Sequence, residues 1–241
     1  MMELSYYRLE ALHQDGEFIL YRGLCQTNAK TIPQSILALS PIFERPAPAT
    51  LKKIEHEFSL KDELDSAWAI RPIALTQDGS RAMLLFEDAG GEPLDRLLGR
   101  PFELKQFLRC GICVAAALGQ THRRGLIHKD IKPSNVFVNP AVDQAWLTGF
   151  GIASRLPRER QAAEPPEFIS GTLAYMAPEQ TGRMNRSIDS RSDLYALGIT
   201  LYELLTGSLP FTATDPMEWV HCHIARQPRA PAEQLRDECA G

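Results

Sequence analysis

The hydrophobic pattern changes character once, near residue 90, and that change restricts what the chain can fold into. Before it, Glu17–Tyr21, Ser35–Leu39, Ala69–Thr76 and Arg81–Glu87 are short runs of β-branched, aromatic or aliphatic residues, with Asp15-Gly16 and Asp78-Gly79 as hairpin turns. One helix interrupts them, expected from an N-cap at Thr50 to about Leu64. Gly90-Gly91-Glu92-Pro93 then breaks the pattern and reads as a hinge between lobes. Beyond it, Phe102–His122 carries Leu104, Phe107, Leu108, Ile112, Ala115 and Leu118 at helical spacing. Short strands are expected at Val136–Val138 and Ala145–Thr148, an apolar helix at Ser192–Leu205, and a last helix capped by Asp215-Pro216 that runs to about Arg226.

Composition narrows the function classes. The 241 residues carry a formal charge of −4, with 44% hydrophobic and 23% charged side chains, which is globular rather than disordered. No basic surplus is available to neutralise phosphates, so nucleic acid is not an expected partner. No apolar run reaches the ~18–20 residues of a membrane span, and Met1–Leu12 lacks a signal-peptide core, so a cytoplasmic location is expected. The five cysteines are scattered and do not suggest a disulfide framework. Cys110 and Cys113 form a Cys-x-x-Cys, a pattern used in redox and zinc chemistry. They lie on a helix with no second pair nearby and read as small buried thiols. In His221-Cys222-His223 a helix sends adjacent residues to different faces, which argues against zinc.

The most informative run is His128-Lys129-Asp130-Ile131-Lys132-Pro133-Ser134-Asn135. An aspartate, a lysine two residues on and an asparagine five residues on form a compact polar set beside apolar strands. This run resembles the catalytic loop of eukaryotic-type protein kinases. Further matches follow in order: Leu147–Ala153 resembles the start of an activation segment, Gly171–Glu179 its end with Ala-Pro-Glu intact, and Asp193–Gly198 the start of the buried central helix. The resemblance implies that Asp130 orients the substrate hydroxyl and accepts its proton, Lys132 stabilises the transferring phosphoryl group and Asn135 holds a magnesium ion. It further implies that Asp193 holds the loop backbone and that Lys132 with Thr172 marks serine/threonine specificity. The implied fold is α+β and bilobal, spanning 1–241: a small antiparallel-sheet lobe with one helix (1–89), a hinge (90–93) and a mainly helical large lobe (94–241). ATP and Mg²⁺ are the cofactors of an active member. Glu87, at the end of the strand entering the hinge, is a further nucleotide-binding position.

Four departures from the pattern each remove part of phosphoryl-transfer chemistry. Gly149 stands where an aspartate would ligate magnesium, and glycine offers no side-chain oxygen. The strand Ser35–Leu39 contains no lysine, and Ala38 is assigned the position of the phosphate-gripping one. Glu57, which resembles that lysine's glutamate partner, faces the core without a cation and is expected to bond backbone or another base, or to swing outward. The phosphate-loop glycines fall on His13, Asp15 and Phe18. Lys129 also replaces an arginine, which removes bidentate grip on a phosphorylated loop. Activity would need a recruited lysine, with Lys30, Lys52 and Lys53 as candidates, and another acid for metal. The expected role is therefore that of a catalytically impaired kinase-like module that binds a protein partner or downstream signalling domains and at most weakly a nucleotide. The alternative is an active serine/threonine kinase.

The remaining signals concern the activation segment and the end. The basic run Arg155–Arg160 and the acidic Glu164-Pro165-Pro166-Glu167 read as solvated loop, with Ser154, Ser170 and Thr172 as candidate phosphoacceptors. Residues 227–241 do not resemble the helices that normally complete the large lobe. The chain is thus expected to be an incomplete lobe or the front of a longer protein, with Glu179 lacking its arginine partner and part of Ser192–Leu205 exposed. In Leu147–Arg160 and Thr181–Arg191 the resemblance is to the N-terminal kinase-like module of bacterial proteins that also carry an ATPase region and a sensor histidine kinase.

Overall fold

The computed structural model describes residues 4–27, 32–79, 81–155, 171–184 and 186–238. Arg158, Ser170, the acidic run at 164–167 and Lys30 lie outside the described residues.

The first half forms a five-stranded antiparallel sheet of order β1-β2-β3-β5-β4, from β1 (Tyr7–Gln14), β2 (Phe18–Cys25), β3 (Ser35–Pro41), β4 (Pro72–Asp78) and β5 (Arg81–Glu87). The two expected hairpin turns join β1 to β2 and β4 to β5. At the first, one Asp15 carboxylate oxygen accepts from the backbone N–H groups of Glu17 (2.8 Å) and Phe18 (2.7 Å). Strand β1 escaped sequence reading because it is an edge strand with half of its positions exposed. Helix α1 (Pro48–Ser59) begins earlier than expected, because Pro48 suits the first helical position, and Ala47 rather than Thr50 is its N-cap. It stops at Ser59 rather than Leu64, where the chain turns to bury Leu60 and Leu64 in the large-lobe core. The start of the expected Ala69–Thr76 strand instead bridges to the large lobe: Leu147 N–H donates to Trp68 and Ile70 N–H to Leu147.

Past the hinge come β6 (Glu92–Pro93), α2 (Leu104–Arg123), β7 (Leu126–Ile127), β8 (Val136–Asn139), β9 (Gln144–Leu147), β10 (Ser154–Arg155), α3 (Ser190–Thr206), α4 (Pro216–Ala225) and α5 (Pro231–Glu238). Helix α2 packs through Val114, Ala117, Leu118 and Thr121. Leu104, Leu108 and Ile112 are 65%, 50% and 69% exposed. Their spacing is helical, but they form a second stripe beside the buried one. Helix α3 buries eight of its 17 residues, and Leu194 on its outer side is 53% exposed. Asp215 caps α4 through the N–H groups of Met217 and Glu218, with Pro216 following it.

Two packing features position the cleft between the lobes. One buried cluster joins Leu12, Leu20, Leu37, Ile54 and Phe86 of the small lobe to Phe137 and Trp146 of the β8–β9 hairpin. At the hinge, Arg22 of β2 donates to Asp88 (3.0 Å), Glu92 (2.7 Å) and the Gly91 carbonyl (2.6 Å).

Candidate active site

The large-lobe wall of the cleft is built from one loop and the helix beneath it. β7 delivers the chain into His128–Asn135, and β8 carries it away. Asp193, fully buried in the first turn of α3, accepts from the backbone N–H groups of His128 (2.9 Å) and Lys129 (2.7 Å). His122 of α2 completes its shell at 2.8 Å. These bonds hold Lys129 at a φ of +68°, a left-handed conformation that a residue other than glycine rarely keeps unaided.

Within that frame Asp130, Lys132, Asn135 and Thr172 come together. Asp130 Oδ1 accepts from the Thr172 N–H (2.9 Å) and hydroxyl (3.0 Å), and its Oδ2 from Asn135 Nδ2 (2.9 Å). Lys132 Nζ lies 2.8 Å from the Thr172 hydroxyl and 3.2 Å from Asp130. Burial pushes the Asp130 carboxyl upward, but Lys132, His128 and these hydrogen bonds outweigh it and hold the pKa below the ordinary carboxylate value. His128 is buried, which pushes its pKa down. Its Nδ1 accepts from the Asp130 N–H (3.3 Å), and so its Nε2 is the donor toward the Thr148 carbonyl (2.9 Å).

The opposite wall is built differently. Glu57 on α1 is 2% exposed and accepts from the N–H groups of Gly149 (2.9 Å) and Phe150 (3.0 Å), the backbone bonding expected of it. Burial pushes its pKa up to about 7, the two N–H bonds offset part of that, and the Asp130 charge adds to it. Gly149 takes a φ of +80°, and a Cβ there would lie 2.7 Å from the Asn135 side chain.

Ala38 is not brought to the cleft. It is fully buried with Tyr7, Ile36, Met83 and Leu85 on the far face of the sheet, whereas Leu37 belongs to the near-face cluster and Leu39 lines the cleft cavity. The register therefore shifts by one residue, because side chains alternate along a strand, and an apolar Leu39 takes the place assigned to a lysine. Leu39 shares parity with Leu37, but a run that is apolar throughout carries no signal of which parity faces the cleft. Glu87 sits half-exposed at the end of β5, 3.8 Å from Arg71, and is not among the residues lining the cavity.

The cavity is about 600 Å³. The β1–β2 hairpin tip covers it, contributing Asp15, Gly16 and Glu17. His13 and Phe18 line it too, and His13 is paired with Asp95 at 2.6 Å. Lys53 enters it from α1, one turn before Glu57.

The other sequence candidates fall away from chemistry. Cys110 and Cys113 lie behind the large lobe, where burial pushes both thiols up, Cys110 to about 11, away from the reactive thiolate. His221 is exposed while Cys222 and His223 are buried, and His223 bonds Tyr195 (2.8 Å) and the Leu173 carbonyl (2.7 Å). Among the described residues no group of His, Cys, Asp and Glu is placed to hold a metal ion, and no helix is long and apolar enough to cross a membrane. Glu179 accepts from the Ser192 hydroxyl at 2.6 Å.

Known proteins resemble this chain in sequence. The chain is 29% identical over 240 residues to the serine/threonine-protein kinase pkn3 of Myxococcus xanthus, covering 96% of this chain and 43% of that protein. It is 36% identical over 155 residues to Pkn1 of the same organism, 63% of this chain and 22% of that protein. With the serine/threonine-protein kinase PknB of Mycobacterium tuberculosis it shares 36% over 116 residues, 48% of this chain and 18% of that protein. The chain thus spans less than half the length of each of these relatives. The protein kinase domain family model matches residues 31–238. With an antiparallel-sheet lobe, a helical lobe and the catalytic-loop geometry between them, the chain belongs to the protein kinase domain family, on its eukaryotic-type serine/threonine branch.

Proposed function

We propose that this chain is a serine/threonine kinase-like signalling domain in which phosphoryl transfer is lost or strongly reduced, and that it works as a regulatory and binding module of a bacterial signalling protein. One observation carries the reading: Gly149 offers no carboxylate for a magnesium ligand, and the Asn135 amide lies where its Cβ would be. Kinases of this family use ATP with Mg²⁺. A hard dication that prefers carboxylates is offered Asn135, whose amide nitrogen already donates to Asp130. The residues present therefore do not fit the bridging magnesium ion. Leu39 in place of the strand lysine and Glu57 bonded to backbone support the same reading. Each such loss costs an electrostatic contribution of ~10²–10³ in rate, without simple additivity.

The assembled Asp130, Lys132 and Thr172 favour a second reading, an active serine/threonine kinase with unorthodox ligands. Transfer of radiolabelled γ-phosphate by the wild type and by Asp130→Ala separates the two. The expected result is equal, background-level transfer. Transfer by the wild type that disappears in Asp130→Ala overturns the regulatory reading.

A further inference from the structure

Two lysines face the same cavity from opposite lobes, and a single hairpin tip meets both with carboxylates. Lys53 Nζ lies 2.5 Å from Glu17 Oε2, while Glu17 Oε1 accepts from the Thr50 hydroxyl at 2.7 Å. Lys132 Nζ lies 3.9 Å from Asp15 Oδ2 across the cleft. The other Asp15 oxygen pins the turn through the Glu17 and Phe18 N–H groups, so both carboxylates are presented by one ordered tip. Helix α1 is seated closely beside Gly149–Phe150: a Cβ on Gly151 would come within 3.1 Å of Lys53 Cβ and carbonyl oxygen. With Leu39 on β3, the small lobe's lysine in the cavity comes from the helix rather than the sheet.

This arrangement is what a polyphosphate site looks like when its own protein fills it. Two ammonium groups converge on one space, and lysine acts on phosphate as a point charge without needing planar geometry. Lys132 also keeps Asp130 at 3.2 Å, inside the loop network, whereas Glu17 and Asp15 belong to a turn held by its own local bonds and can be replaced without unmaking a core. Glu17 and Lys53 side chains are each 32% exposed, which leaves the contact reachable from solvent. We propose that Lys53 is the small-lobe phosphate-contacting residue and, with Lys132, forms a polyphosphate site that works without a divalent ion, with Glu17 and Asp15 as the anions that occupy it in the absence of ligand. This goes beyond the regulatory reading and does not require phosphoryl transfer.

The test is calorimetric titration of the purified chain in EDTA with ATP and, separately, with inorganic tripolyphosphate. Lys53→Met is expected to weaken binding ~10-fold, Lys53→Arg to stay within ~3-fold of wild type, and Glu17→Gln to tighten binding ~3–10-fold by removing the competing charge. Glu17→Gln retains an oxygen acceptor at the same position, so it remains informative if Lys53→Met unfolds. ATP and tripolyphosphate binding equally identifies the phosphate chain alone as the ligand; ATP binding more tightly identifies a nucleotide. Absence of binding to either at millimolar concentration, binding only with added magnesium, an unchanged Lys53→Met or an unimproved Glu17→Gln each overturn the site. Radiolabel transfer decides the regulatory reading separately, so failure of one is not failure of the other.

Discussion

The two walls of the cleft have been treated differently. On the large-lobe side, Asp193 ties down two loop amides and a histidine, and Asp130 is bonded at both oxygens. On the small-lobe side, an apolar Leu39 and a backbone-bonded Glu57 replace a cation and its partner. The contrast separates what the fold needs from what the chemistry needs. The large-lobe network is part of the core, so its loss would cost stability whether or not phosphate is transferred. The small-lobe cation serves only a ligand, so its loss costs the fold nothing.

That comparison breaks most easily at Asp193. Asp193→Ala leaves the His128 and Lys129 amides without an acceptor and is expected to cost ~3–5 kcal/mol in urea unfolding. A loss under ~1 kcal/mol would mean that the loop is not held from below. Next is a paired substitution on β3. Ala38→Lys buries an ammonium in the far-face cluster and is expected to cost ~3 kcal/mol or more, whereas Leu39→Lys reaches the cleft and should cost under ~1 kcal/mol. Equal costs would refute the register.

Glu57 sharpens the contrast through pH. Its folded pKa of about 7 lies above the ordinary 4.5, so the protonated carboxyl contributes stability that is complete below pH 4.5 and is lost as pH rises through 7. Between these limits Glu57→Gln should gain ~1–3 kcal/mol relative to wild type, because the amide does not titrate. Parallel pH profiles of the two proteins would show that burial does not govern this carboxylate. The smallest effect is expected at Leu108→Ser, within ~0.5 kcal/mol because this residue is half exposed, against ~2–4 kcal/mol for Leu118→Ala in the buried stripe.

The large-lobe wall was legible in the sequence because its residues are contiguous: Asp130, Lys132 and Asn135 lie within six positions, and Gly149 is flanked by a recognisable run. The small-lobe wall was less so. Whether Ala38 or Leu39 faces the cleft depends on strand parity, which a fully apolar run such as Ile36–Leu39 does not reveal. The role of Lys53 depends on where a hairpin tip thirty-odd residues earlier comes to rest, which no local pattern encodes. The exposed stripe on α2 is a related case, since helical periodicity marks an apolar face without saying that anything covers it.

The Arg22 clamp has a mechanical consequence. Gly90 and Gly91, both in left-handed conformations, would by themselves make a loose joint. A guanidinium that grips Asp88 before them and Glu92 after them splints that joint, and Phe137 wedged among small-lobe side chains removes the remaining play. The β1–β2 hairpin is fastened to the same side of the joint, with His13 paired to Asp95 and Arg96 donating to the Ala11 and Leu12 carbonyls, so the splint extends to the tongue over the cavity.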